Sequence, residues 1–132
     1  MITPSPQSGS TILAVDDDAG VLQLVGRILQ NAGYQVVLAE GGRSAIRAFE
    51  DCASPVDLLL TDVMMPDLTG PVVAERLRER KPGLPVLFIS GFHDASLIEG
   101  FIALNGFTLL PKPFTPAGLL RVVKDTLSSR AD

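Results

Sequence analysis

A single cysteine, Cys52, leaves this chain no way to form an intramolecular disulfide. Cys52 then reads as a small apolar residue packed on its helix, and a reducing, cytoplasmic setting is the expectation. No apolar run approaches the roughly eighteen residues of a membrane span, so no membrane partner is expected. The opening MITPSPQSGS has neither a basic cluster nor an apolar stretch, which argues against a secretory signal. Its Pro, Ser and Gly content marks residues 1–10 as a disordered lead-in or linker. Positive charge is also scarce. Eleven Lys and Arg against fifteen Asp and Glu give a net charge of −4, and no single helix carries a Lys/Arg stripe. Direct nucleic-acid binding is therefore not expected. No internal repeat is present.

What is there fits one domain. The 132 residues are 46% hydrophobic, with a mean hydropathy of +0.32. Short continuous apolar runs such as Leu58-Leu59-Leu60 and Val86-Leu87-Phe88-Ile89 suit strands covered on both faces. Strand-like and helix-like segments alternate five times over residues 11–128. The predicted strands are Thr11–Val15, Gln35–Leu38, Val56–Thr61, Pro85–Ile89 and Phe107–Pro111. Between the first two, Val21, Val25, Ile28 and Ala32 form one helical stripe, widened by Leu22, Leu24 and Leu29. Gly33 is placed to end that helix in a left-handed conformation. Further helices are predicted over Gly42–Cys52, from Pro71 to about Lys81, around Ala95–Leu104, and from Pro116 behind a Thr115 cap. Such alternation means right-handed βαβ crossovers and a parallel sheet. The architecture expected is α/β, a flavodoxin-like (βα)5 doubly wound sheet of strand order 2-1-3-4-5.

The chemistry lies at the strand ends. Asp16-Asp17-Asp18, Asp62, Ser90 and Lys112 each follow one of the apolar strands, and a parallel sheet gathers those ends on one edge. Taken singly, each has a plain explanation: a helix cap, a loop acid, a turn serine, a surface lysine. Asp18 in particular is expected as a cap or first-turn acid. Together they form a set able to hold a divalent cation and a phosphoryl group. Crowded carboxylates repel and raise one another's proton affinity unless a cation intervenes, and Mg²⁺ with its oxygen ligands removes that conflict. The Asp62 carboxylate, on a rigid strand end, can attack phosphorus and form an acyl phosphate. Lys112 would neutralise charge on the transferred oxygens, and the Ser90 hydroxyl could donate to one of them.

These pieces, ILAVDDD, LLLTDVMMPDLTG, PVLFISG and LLPKPFT, resemble the receiver domains of two-component response regulators over about Thr11 to Leu127. The SGF and PKPFTPAGLLRVV segments are similar to single-domain receivers and to those of hybrid sensor kinases. The resemblance implies that Asp62 is the phospho-acceptor, charged by a histidine kinase or histidine phosphotransfer protein. It implies that Asp17, Asp62 and the backbone carbonyl of Met64 ligate Mg²⁺, with Asp16 acting mainly through a bound water. Ser90 matches the family's switch hydroxyl and Lys112 its lysine, with a cis Lys112–Pro113 peptide. Many receivers carry an aromatic residue three positions before that lysine. Here it is Leu109, so an activation signal is expected to pass through Ser90, the loop after it and the helix that follows.

The function expected is thus a phosphorylation-controlled switch of protein–protein interactions, not an enzyme with an external substrate. No output domain is expected after Leu127, so an unspecified downstream protein, a further phosphorelay step or a longer polypeptide would read the signal. Receivers also pair weakly through several faces, and a weak homodimer is included in that expectation. The enzyme alternative is a haloacid-dehalogenase-like phosphatase using Asp16 and Asp18, whose D-x-D spacing follows an apolar strand. Gly20 fits that pattern poorly, and Asp62 would have no role in it.

Overall fold

Period-two burial explains the sheet. Along β1 (Thr11–Val15), Leu13 and Val15 pack into one apolar cluster and Ile12 and Ala14 into another on the opposite face. β3 (Leu58–Asp62) and β4 (Val86–Ser90) alternate in the same way: Leu59, Val86 and Phe88 face one cluster, and Leu58, Leu60, Leu87 and Ile89 the other. Every residue of these three strands is buried. That is why they read as unbroken apolar runs. β2 (Gln35–Ala39) and β5 (Thr108–Pro111) are the edges and are only partly covered. The computed structural model describes residues 9–52, 55–91, 100 and 106–129. Residues 1–8 and most of the expected helix around Ala95–Leu104 lie outside the described residues.

The strands form one parallel sheet of order β2-β1-β3-β4-β5. The helices α1 (Ala19–Asn31) and α4 (Pro116–Ser129) cover one face, through Leu22, Val25, Leu29, Leu119, Val123 and Leu127. Helices α2 (Gly42–Asp51) and α3 (Gly70–Arg80) cover the other, through Ala45, Val73, Ala74 and Leu77. Cys52, just past α2, packs against that cluster as a half-buried free thiol. Among the described residues no helix is long and apolar enough to cross a membrane.

Local chemistry sets the helix ends. Asp18 caps α1 by accepting from the N–H groups of Gly20 (2.9 Å) and Val21 (3.2 Å). Gly33, with φ of +99°, ends it in the left-handed region. Thr69 caps α3, and Thr115 caps α4 through Gly118. Gly9 and Ser10 are tied to the start of β2, through Gly33 and Gln35 respectively.

Three expectations need correction. Leu24 is 54% exposed, because it falls outside the arc of α1 that meets the sheet. Val56 and Asp57 precede β3, whose ladder begins at Leu58. The Asp57 side chain accepts from the Thr11 N–H, and the Val56 carbonyl accepts from Lys81. β3 and β4 each run one residue further than expected, so Asp62 and Ser90 are themselves the final residues of their strands. A carboxylate on the last hydrogen-bonded residue is held more firmly than one in a loop.

Candidate functional site

Register brings the polar residues to one level. Val15 pairs with Thr61, so Asp16 and Asp62 both come next along their strands. Asp62 pairs with Ile89, and Ser90 with Pro111, which places Ser90 one step and Lys112 two steps beyond that level. The strand ends are tied laterally, Asp16 N–H to the Ala39 carbonyl and Lys112 N–H to the Ser90 carbonyl. The peptide between Lys112 and Pro113 is cis.

Carboxylate oxygens of Asp16, Asp17 and Asp62 all lie within 4.8 Å of one another. Asp16 and Asp62 are buried, whereas Asp17 is exposed at the rim. Lys112 is the one cation facing this group among the described residues, with its Nζ 3.6 Å from Asp16 Oδ2 and 3.8 Å from Asp62 Oδ1. Those distances are at the long edge of ion pairing. One ammonium does not balance three carboxylates.

The imbalance shows in the acids' proton affinities. Burial, reinforced by the neighbouring Asp16 charge, pushes the Asp62 carboxyl up to about 6, against opposing contributions from Lys112 and the Val63 N–H. Burial also raises Asp16, although the Asp18 N–H donates to its Oδ1 at 2.9 Å. A hard dication with oxygen ligands is the kind of ion this donor set fits.

The other expected residues take different places. Ser90 is fully buried, and its hydroxyl donates to the Gly91 carbonyl at 3.0 Å rather than toward the acids. Met64 has a half-exposed side chain. Its backbone is bracketed by Val63, whose carbonyl accepts from Gly70 at 2.7 Å, and by buried Met65. Asp18 is committed to the α1 cap and does not join the acid cluster.

Two supporting residues are not apparent from the sequence. Gly70 opens α3 directly against the end of β3, where an added Cβ would lie 2.3 Å from the Asp62 carbonyl oxygen. Asp67 reaches back from the β3–α3 loop to cap α2. Its carboxylate accepts from Gly42 (3.0 Å), Arg43 (2.9 Å) and Leu68 (2.8 Å) N–H groups. The α2 cap position itself, Gly41, offers no side chain. These bonds hold the Asp67 carboxyl down at about 2.

A depressed acid stabilises the fold above its unfolded value, and that contribution is lost as pH falls through the folded value. An Asp67→Ala variant is therefore expected to melt below the parent at neutral pH. The gap should stay constant above about pH 5 and close between about pH 4 and 2. Thermal unfolding across that range checks it; a gap independent of pH would remove Asp67 as an ionic cap.

The family model described as "Response regulator receiver domain" matches residues 12–124. The chain is 35% identical over 124 residues to "Sensor kinase CckA" of Brucella abortus, covering 93% of this chain but 13% of that protein. It is 33% identical over 116 residues to "Response regulator receiver protein CpdR" of the same organism, covering 88% of this chain and 95% of that one. Among solved structures, chemotaxis protein CheY4 of Vibrio cholerae superposes with a TM-score of 0.80 at 30% identity, covering 89% and 98% of the two chains. The phosphatase alternative has no support: the family match lies elsewhere, and its second acid, Asp18, is bound up in a helix cap.

Proposed function

This chain belongs to the response regulator receiver domain family, the phosphoryl-accepting modules of two-component signalling, and we propose that Asp62 is its acceptor. The observation that carries this is the placement of Asp62. It is the last residue of a central strand, buried beside two further carboxylates and faced by one lysine. A carboxylate oxygen of Asp62 attacks phosphorus as the phosphorus–nitrogen bond of a phosphohistidine donor breaks. The donor is a histidine kinase or histidine phosphotransfer protein.

Asp16, Asp17, Asp62 and the Met64 carbonyl are the groups that would hold Mg²⁺. When bound, the ion supplies positive charge against the phosphoryl oxygens. Lys112 supports the same oxygens from the β5 side. The Ser90 hydroxyl rotates from the Gly91 carbonyl to donate to the phosphoryl group, which links the site to the loop after β4. Leu109, an aliphatic residue packed against the core, has no ring to swing, so that loop is the route of the signal. The product of the chemistry is a changed surface for a downstream protein, not turnover of an external substrate. The receiver unit proposed is 11–128, working in the cytoplasm.

Acetyl phosphate with Mg²⁺ should add one phosphoryl group to the intact mass, and EDTA should prevent it. No gain with acetyl phosphate, and no change on adding beryllofluoride, would contradict the proposal. Mg²⁺ itself should raise the melting temperature, with a pH dependence set by Asp62. A proton and the metal compete for the same carboxylate, so apparent affinity should fall about tenfold for each step of one in pH below about 6. Melting curves with and without Mg²⁺ at pH 5 and pH 8 read this directly; equal Mg²⁺ effects at both would exclude Asp62 as a ligand.

A further inference from the structure

Away from the acid cluster, positive charge is concentrated by two helices acting together. Arg43 and Arg47 stand four apart on α2, and Arg76 and Arg80 four apart on α3, so each pair shares a helix face. The two helices pack side by side, and Gly42 sits so close to Leu68 and Val73 that an added Cβ would lie 2.6 and 3.0 Å from them. Between them runs a groove of about 320 Å³, lined by Arg43, Ile46, Arg47 and Arg76. It continues past Ile46 to a second hollow where Arg80 pairs with Glu50. Among the described residues, Arg43, Arg47 and Arg76 form no ion pair, and all three are exposed. Three like charges around an apolar floor, on a domain of net charge −4, add repulsion without binding the fold together.

We propose that the α2–α3 groove docks an acidic helical segment of a partner protein. Carboxylates one turn apart on that segment would meet the arginines, and an apolar residue between them would rest on Ile46. Guanidinium forks suit carboxylates, which they can grip through two parallel hydrogen bonds. The surroundings favour a short acidic peptide over a nucleic acid. Glu75 and Glu79 on α3 and Glu50 on α2 flank the arginines, and an unbroken phosphate backbone would run across them. The apolar floor would also remain unused by such a polyanion. This docking is separate from the phosphoryl chemistry, so its failure would leave the proposal for Asp62 untouched.

The test is fluorescence anisotropy with a labelled peptide of repeating Leu-Glu-Glu-Ile-Glu-Glu sequence, beside a control with every Glu changed to Gln. The Glu peptide is expected to bind, and added salt should weaken it. The Arg47→Glu/Arg76→Glu double variant should weaken binding at least about tenfold while phosphoryl uptake stays unchanged. Arg47→Gln/Arg76→Gln should give an intermediate loss, and circular dichroism verifies that both variants fold. Asp62→Asn should bind the peptide as the parent does. Equal binding of the Glu and Gln peptides, binding that survives charge reversal, or no binding would overturn the proposal. Parallel arms use a short DNA duplex and phosphatidylserine vesicles; tighter arginine-dependent binding to either would overturn it in favour of that class.

Discussion

Asp62→Asn is expected to remove phosphoryl uptake and, in metal-free buffer at pH 8, to make the protein more stable than its parent. The first effect is loss of the nucleophile: an amide does not form the acyl phosphate. The second follows from burial. Asp62 is 8% exposed, and burial, reinforced by the Asp16 charge, pushes its carboxyl up to about 6. For a raised acid, the favourable contribution is complete below the unfolded value and is lost as pH rises through the folded one. A tenfold change in proton affinity is worth about 1.4 kcal/mol, so at pH 8 the ionised carboxylate costs the fold roughly 2–3 kcal/mol. Asparagine carries no charge, and its Oδ1 can still accept the Val63 N–H that Asp62 Oδ1 accepts at 2.9 Å. Lys112 keeps Asp16 as a partner. The advantage should shrink as pH falls from about 6 to 4, where the parent becomes neutral too. Melting curves in EDTA across pH 4–8 decide it. A variant less stable than the parent at pH 8 would mean that the acid cluster is not under electrostatic strain.

Gly70→Ala should be the most damaging small substitution near the site. In the body of a helix, replacing glycine by alanine is worth up to about 1 kcal/mol in favour of alanine. Here a Cβ would lie 2.3 Å from the Asp62 carbonyl oxygen and 3.2 Å from a Phe88 ring carbon. The oxygen belongs to the backbone of a buried central strand and cannot swing aside. Overlap of this kind costs about 1–3 kcal/mol or more, so it outweighs the gain in propensity. The fold relaxes by pushing α3 off the end of β3, which breaks the Gly70–Val63 bond and shifts the loop carrying Met64. Both the melting temperature and the rate of phosphoryl uptake should fall. An unchanged melting temperature would show that the start of α3 yields freely.

Much of the fold and the site is legible in the chain because strand ends in a parallel sheet are a one-dimensional signal. Apolar runs followed by Asp16, Asp62, Ser90 and Lys112 fix which residues share an edge once the order 2-1-3-4-5 is accepted. Asp18, Gly33 and Thr115 are readable for a related reason, since each acts within a few residues of its own helix. The residues that escape act across long separations. Asp67 caps a helix that begins 25 residues before it. Gly70 is masked by Pro71, which marks the helix start well enough to draw attention from the glycine that meets the strand. The arginine groove is invisible helix by helix, because α2 contributes two of its arginines and α3 the third. Leu24 shows the opposite failure: it lies near an apolar stripe and reads as part of it, although its angle on α1 points it to solvent. Periodicity finds a face; it does not find the edges of that face.

The phosphoryl chemistry proposed for this chain turns on one group, the carboxylate of Asp62. The direct measurement is to phosphorylate the protein with acetyl phosphate and Mg²⁺, reduce the acyl phosphate with borohydride, and sequence the peptides by mass spectrometry. Reduction converts a phosphorylated aspartate to homoserine and leaves the others intact. Homoserine at position 62, absent when EDTA is present, is the predicted result. Homoserine at position 16 or 17, with Asp62 unmodified, would contradict it.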